Sequence, residues 1–430
     1  MKLEKVRSIS FIGLFLSFCA IIALNNPVLK TDYSNICVPL NLPEKIIITI
    51  ILISLVTLGI FIYNLKTKVL SKIYTWSNNT VSCNFNIFSK YRSILSCAAI
   101  VAIVWHHLPG GTFICVGGSF TLEYISTFLQ FIGDIGVDIF IFISGLGIYY
   151  SLTKNNNPAQ FYKKRALRII PINIISVILA VLFFCNMTRA QFLGNILMIG
   201  QWFDIGFQLF WFIQLIIILY LLSPIFFKII NRYSGLLLTF LGLLIITILN
   251  YIIIGKSDWI IATTRIPTYL LGMYIGQLSL KKQTIPLLLE GILIFFAITG
   301  AVLLWWFVNE VDPTLYAVQA SGLKYYTYFM MVPGVAIVIT RIAQLIECHS
   351  QFIFSILNII GTHTIGIYLS HIVLIQGGFS QWFSTIVLED TPMMKLFSWT
   401  LALIILVIIG VVYEILINKL EEASRILIKT

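Results

Sequence analysis

The sequence predicts an all-α protein: a polytopic bundle of about twelve transmembrane helices with both termini in the cytoplasm. Three observations carry that expectation. Of the 430 residues, 59% are hydrophobic and only 10% are charged, and the mean hydropathy is +0.97, a balance that excludes an ordinary soluble domain. Apolar runs close to the ~20 residues needed to cross a bilayer recur along the chain. The lysines and arginines concentrate between alternate runs, as the positive-inside rule demands of loops kept in the cytoplasm.

The runs lie at 9–25, 45–65, 93–108, 136–152, 169–186, 209–227, 235–254, 266–280, 285–308, 325–340, 352–376 and 396–417. Those at 136–152 and 266–280 are short, and 190–200 reads either way. The first run follows Lys2, Lys5 and Arg7 and has the form of a secretory leader as well as of a span. Its removal would leave the topology downstream unchanged. With the N-terminus inside, only Lys30, Lys45, Arg189, Lys256, Arg265, Lys324 and Lys395 fall outside, of 28 basic residues. The net charge of +11 is thus a topology signal, and nucleic acid is not an expected partner. Residues 1–70 form a leading pair of spans poor in intramembrane polar groups, and 91–430 hold nearly all the unusual ones. No internal repeat of the kind found in many transporters is visible. The seven cysteines show no metal or CxxC spacing; Cys19, Cys97 and Cys185 read as apolar filler, and Cys37 and Cys115 share the outer side. The sequon at 78–80 falls in a loop expected inside.

The stretch 91–109, "YRSILSCAAIVAIVWHHLP", starts at Arg92 and ends on His106 and His107. As a helix it rises about 21 Å from Arg92 to His106 and leaves the two about 40° apart around the axis. Two imidazoles where a lipid-embedded helix ends need water, substrate or a polar pocket. The next span carries Asp134 and Asp138, four apart on one helical face. Asp134 reads as a helix cap. Asp138 lies inside an apolar segment, where a carboxylate is costly unless paired, and it is placed to orient a histidine.

"FYKKRALRIIP" then gathers Lys163, Lys164, Arg165 and Arg168 on the cytoplasmic side, as a charge anchor or as a grip for phosphate groups. Trp211, Gln214 and Tyr220 fall in or near the following span. Arg265 stands on the outer side against the charge trend and asks for a carboxylate, a glycan or a thioester oxygen to bind. "IGTHTIGIYLSHIVLI" places His363, Tyr368, Ser370 and His371 in one apolar segment. Helix breakers in "FISGLG" and "NIIGTHT" sit beside these polar clusters, where irregular backbone is tolerable only against protein or a watery cavity. HxxxH and HExxH spacings are absent, so no metal is expected.

In this order the blocks "YR…WHH", "GVDIFIFISGLGIYYSL", "FYKKRALRIIP", "FWFI…LYLLSP", "RIPTYLLGMYIG" and "IGTHTIGIYLSHIVLI" resemble acyltransferase family 3, integral-membrane O-acyltransferases of cell-surface carbohydrates. The resemblance covers about 91–417. It implies a core of about ten helices in the plasma membrane and an acyl group, acetyl being the expected one, drawn from cytoplasmic acyl-CoA. The implied acceptor is a hydroxyl of an envelope glycan or of its lipid-linked precursor. No bound cofactor is implied; acyl-CoA, the carbohydrate and membrane lipid are the partners. The family's first core helix carries an arginine, ten intervening residues and an essential histidine. Here Arg92 precedes His106 by thirteen and His107 by fourteen, and the ten-residue spacing falls on Leu95 or Ser96. The family's "FFxxSGF" block stands as "FIFISGLG", and its "RRxxRxxP" block as Lys164, Arg165, Arg168 and Pro171.

Acyl transfer from a thioester to an alcohol needs a base for the hydroxyl proton and positive or donor groups for the oxyanion. His107 or His106 is the expected base, and Asp138 the group that sets its tautomer. Arg165 and Arg168 are expected on the CoA phosphates, with Arg92, Arg265, Tyr368 and His371 lining the path between. A transporter of a glycan or small solute is the rival reading, and a lipid-linked-sugar glycosyltransferase with Asp32 in the first outer loop is a third.

Overall fold

A computed structural model describes residues 83–108, 131–155, 157–183, 187–203, 210–253, 257–309, 322–376 and 392–429. The runs at 9–25 and 45–65, Cys37, Cys115 and the sequon lie outside the described residues. After a two-residue strand β1 (Cys83–Asn84) come α1 (Ile87–Lys90), α2 (Arg92–His107), α3 (Ile135–Lys154), α4 (Pro158–Phe183), α5 (Arg189–Ile196), α6 (Trp211–Arg232) and α7 (Gly235–Ile252). Then follow α8 (Ser257–Thr263), α9 (Ile266–Leu280), β2 (Thr284–Ile285), α10 (Leu287–Asn309), α11 (Leu323–His349), α12 (Gln351–Thr362), α13 (Thr364–Gln376) and α14 (Pro392–Lys429). The strands pair antiparallel, Cys83 opposite Ile285, and tie the start of α2 to the turn between α9 and α10.

Among the described residues, six helices are long and apolar enough to cross a membrane: α3, α4, α6, α10, α11 and α14. The pair α12 and α13 makes a seventh if counted as one broken span, and α2 and α7 are shorter apolar helices. The chain is a multi-pass all-α membrane protein. Its lipid-facing positions carry bare apolar side chains such as Phe295, Ile298 and Val302 on α10 and Phe352 and Ile356 on α12. A bilayer solvates these as well as protein does, so helix association here rests on close packing and internal polar bonds.

The glycines show that packing. In "FISGLG" the backbone of α3 runs on unbroken, against the expectation of irregularity. Its glycines instead let α9 approach: a Cβ on Gly145 would strike the Tyr269 carbonyl, and one on Gly272 the Phe142 carbonyl. In "NIIGTHT" the expectation of a break does hold. The 352–376 run is bent by 67° between α12 and α13, with Gly361 pressed on the Ser93 carbonyl of α2. His363 therefore ends α12 half-buried, its Nδ1 2.8 Å from the Ile359 carbonyl, and does not share a helical face with His371. The basic block lies within α4, which starts well before the 169–186 run and contains Pro171.

At the start of α2, Lys90 Nζ donates to Glu347 of α11 at 2.7 Å and to the Tyr91 hydroxyl at 2.8 Å. The Tyr91 hydroxyl donates to the same carboxylate. The Glu347 hydrogen bond holds the lysine charged above its ordinary range. Ser93 bonds Asn358 of α12. The foot of α2 is thus tied to α11 and α12, and its length carries the histidines to the other end of the bundle.

Candidate active site

Helix α2 runs unbroken from Arg92 to His107, so the histidine pair stands about 22 Å along the axis from the arginine at 1.5 Å per residue. His107 Nδ1 lies 3.0 Å from the Ile103 carbonyl one turn back and 3.2 Å from His371 Nε2 on α13. His371 Nδ1 lies 2.8 Å from the Ile367 carbonyl. His371 is fully buried, whereas His106 and His107 remain half-open. His106 meets His107 edge-on at 5.3 Å between ring centres and Phe131 at 6.0 Å. Both face a cavity of about 130 Å³, shared with Phe131, Asp134, Trp211, Lys324, Tyr325 and Tyr368.

Beside that cavity is a buried charge cluster. Arg265 precedes α9 and is 0% exposed. Its Nη2 donates to Asp134 Oδ2 at 2.9 Å, and its Nε lies 3.5 Å from Asp138 Oδ2. Trp211 and Tyr325 cover the guanidinium at 5.1 and 4.7 Å. Asp138 also accepts from the Thr268 hydroxyl at 3.1 Å. Two expectations are corrected here. Asp138 holds Arg265 and Thr268 and reaches neither His107 nor His371, because the turn of α3 that it occupies faces α9. Of the partners expected for Arg265 the carboxylate is the one found, twice over, in Asp134 and Asp138; the side chain is engaged there and does not line the path for substrate. Asp134, expected as a cap, makes no capping bond; it lines the cavity within electrostatic reach of both histidines.

Lys324 is a group the sequence reasoning passed over. Its ammonium sits 4.9 Å over Phe131 and 5.2 Å over Tyr325 and opens on the same cavity. The one signal was its place among the few basic residues on the outer side, the same signal that drew attention to Arg265. Tyr368 packs on Phe212 and His371, at 5.3 and 5.7 Å between ring centres.

The basic residues divide. Lys164 and Arg168 line a second cavity of about 290 Å³ with Glu414 and Asn418 of α14. Glu414 is engaged by the Gly366 N–H at 2.7 Å. Arg165 turns aside, over Phe161 at 5.6 Å and Tyr220 at 5.4 Å, and its Nε is buried without a hydrogen-bond partner. The Arg92 guanidinium lies against Gly147, where a Cβ would come within 2.8 Å of Nη1, and in electrostatic reach of Arg165 and Arg168. None of the three arginines pairs with a carboxylate among the described residues.

Residues 94–417 match the family model described as an acyltransferase domain. The chain belongs to acyltransferase family 3. No curated protein and no solved structure matches it.

As a membrane acyltransferase, the protein has to bring an acyl donor and an acceptor together. Of the site residues expected from sequence, the fold brings His106, His107 and Tyr368 to one cavity and sets His371 behind His107. It gathers Arg92, Arg165 and Arg168 toward the other end of α2, and it sets Asp138 and Arg265 behind the cavity wall. Half-buried imidazoles facing a cavity have the chemistry of a base. Guanidiniums that make no ion pair among the described residues have the chemistry of a phosphate grip.

Proposed function

We propose that the protein moves an acyl group, acetyl being the expected one, from cytoplasmic acyl-CoA to a hydroxyl of an envelope carbohydrate. Its place is the plasma membrane, with both termini in the cytoplasm. The observation that carries this reading is the arrangement along α2. A histidine pair faces a cavity at one end, while Arg92, Arg165 and Arg168 lie within electrostatic reach of one another at the other, none in an ion pair among the described residues. A donor held by its phosphates on Arg168 and Lys164 would extend its thioester arm along the bundle, with Arg92 and Arg165 beside it.

In this mechanism His107 takes the proton of the acceptor hydroxyl as the oxygen attacks the thioester carbon. The carbonyl oxygen gains negative charge in that step, and a preorganised cation is the most effective way to stabilise it. Lys324, held over two aromatic rings beside the histidines, is the group we assign to it. Phe131, Trp211, Tyr325 and Tyr368 give the cavity an aromatic lining. Arg265 ties both aspartates in place, so the cavity wall holds its shape without binding substrate.

The test is to supply radiolabelled acetyl-CoA to membranes that contain the protein and an extract of the host's glycans. Label should enter carbohydrate with the wild type and fall by at least about 10²-fold for His107→Ala, the contribution expected of a positioned general base. Unchanged transfer by both His107→Ala and His106→Ala would remove the base assignment.

A further inference from the structure

The aspartates nearest the base are both engaged by Arg265, so something else must hold His107 in position. A backbone carbonyl can only accept a hydrogen bond. His371 Nδ1 faces the Ile367 carbonyl at 2.8 Å, so that nitrogen carries the proton and His371 Nε2 carries a lone pair. His107 Nδ1 faces two acceptors at once, the Ile103 carbonyl at 3.0 Å and that lone pair at 3.2 Å. It too must carry a proton. The nitrogen of His107 left with a lone pair is Nε2.

We infer that His371 is the positioning residue of a carboxylate-free histidine pair, fixing His107 as the Nδ1–H tautomer so that Nε2 is the base. The inference rests on the acyl-transfer reading above and deepens it. In the reaction the acceptor O–H bond breaks and its proton goes to His107 Nε2. The oxygen forms its bond to the thioester carbon, the C–S bond breaks, and the proton on Nε2 leaves with the thiolate as the thiol. While His107 is cationic, its Nδ1–H still points at two neutral acceptors, which supports the charge without creating a permanent ion pair. A carboxylate in that place would hold the imidazolium more strongly and make it slower to release its proton. Burial keeps the pair rigid: His371 is 0% exposed, on the turn of α13 that packs on α2. Among the described residues neither His107 nor His371 bonds a carboxylate.

The test separates positioning from packing by two near-isosteric substitutions. The oxygen of glutamine can occupy the place of His371 Nε2 and accept from His107. Asparagine reaches only as far as Nδ1 and leaves His107 Nδ1–H without that acceptor. His371→Gln is expected within about threefold of the wild-type kcat, and His371→Asn is expected to lose about 10²-fold, the low end of what a positioned base contributes. The KM for acyl-CoA should be unchanged in both, and both variants should elute and melt like the wild type in detergent. Equal kcat for His371→Asn and the wild type would overturn the inference, as would an equal loss in the two variants. Failure of the underlying reading has a different signature, an absence of acyl transfer to carbohydrate by the wild type itself.

Discussion

Arg265 is the residue whose removal should cost the fold most. It is wholly buried, 2.9 Å from one carboxylate and 3.5 Å from a second. At an effective dielectric of about 20, two unit charges 4 Å apart attract by about 4 kcal/mol. Part of that repays the desolvation of the ions, and breaking a buried pair by deleting one partner costs about 3–5 kcal/mol because the other charge is stranded. Arg265→Met strands Asp134 and takes the cation from Asp138, so its cost should lie at about 3–5 kcal/mol. The assay is unfolding by a denaturing detergent in mixed micelles, followed by tryptophan emission, since Trp211 stacks on the guanidinium. Combining Asp134→Asn with Arg265→Met should restore part of the loss, with a coupling energy of at least about 1 kcal/mol. A single variant within about 0.5 kcal/mol of the wild type, or a double variant equal to the sum of the singles, would refute the view that this cluster is held by charge.

Alanine at Gly272, where a Cβ meets the Phe142 carbonyl, should destabilise by about 1–3 kcal/mol through overpacking. The same change at Gly291, which has open space around it, should be neutral or gain up to about 1 kcal/mol from helix propensity; thermal melts in one detergent compare the two. Replacing Lys164 and Arg168 together with alanine should raise the KM for acyl-CoA by about tenfold with kcat held, the pattern of lost ground-state binding. A fall in kcat alone would contradict a phosphate-gripping role. Glu414→Leu removes the acceptor of the Gly366 N–H at the start of α13 and should cost about 1–3 kcal/mol, whereas Glu414→Gln keeps an acceptor and should cost less.

Much of this was legible in the chain. Apolar length and basic loops announce a helical membrane protein, and the run from Arg92 to His107 is the helix its spacing implies. The histidine pair, Tyr368 and His371 were marked by the cost of placing such groups among apolar neighbours. What the chain withholds is which faces meet. Asp138 was rightly marked as needing a partner, but helical periodicity gives a direction around an axis and not the neighbour found there. The partner proved to be Arg265, itself marked for the same reason from 127 positions away. Asp134 hid behind a cap pattern that its side chain does not use. The glycines of "FISGLG" were readable as special, yet breaking a helix and admitting a neighbour leave the same signature in sequence. Lys324 carried no pattern beyond its side of the membrane, since Phe131, the remote one of its two rings, is brought to it by tertiary packing.

The central claim is that a donor supplied from the cytoplasm and an acceptor on the other side meet at His107. Inverted membrane vesicles that contain the protein, loaded with an impermeant oligosaccharide and given radiolabelled acetyl-CoA outside, test that claim directly. The account predicts label in the trapped oligosaccharide for the wild type and none above background for His107→Ala. Label confined to carbohydrate on the same side as the donor, or equal label with His107→Ala, would contradict it.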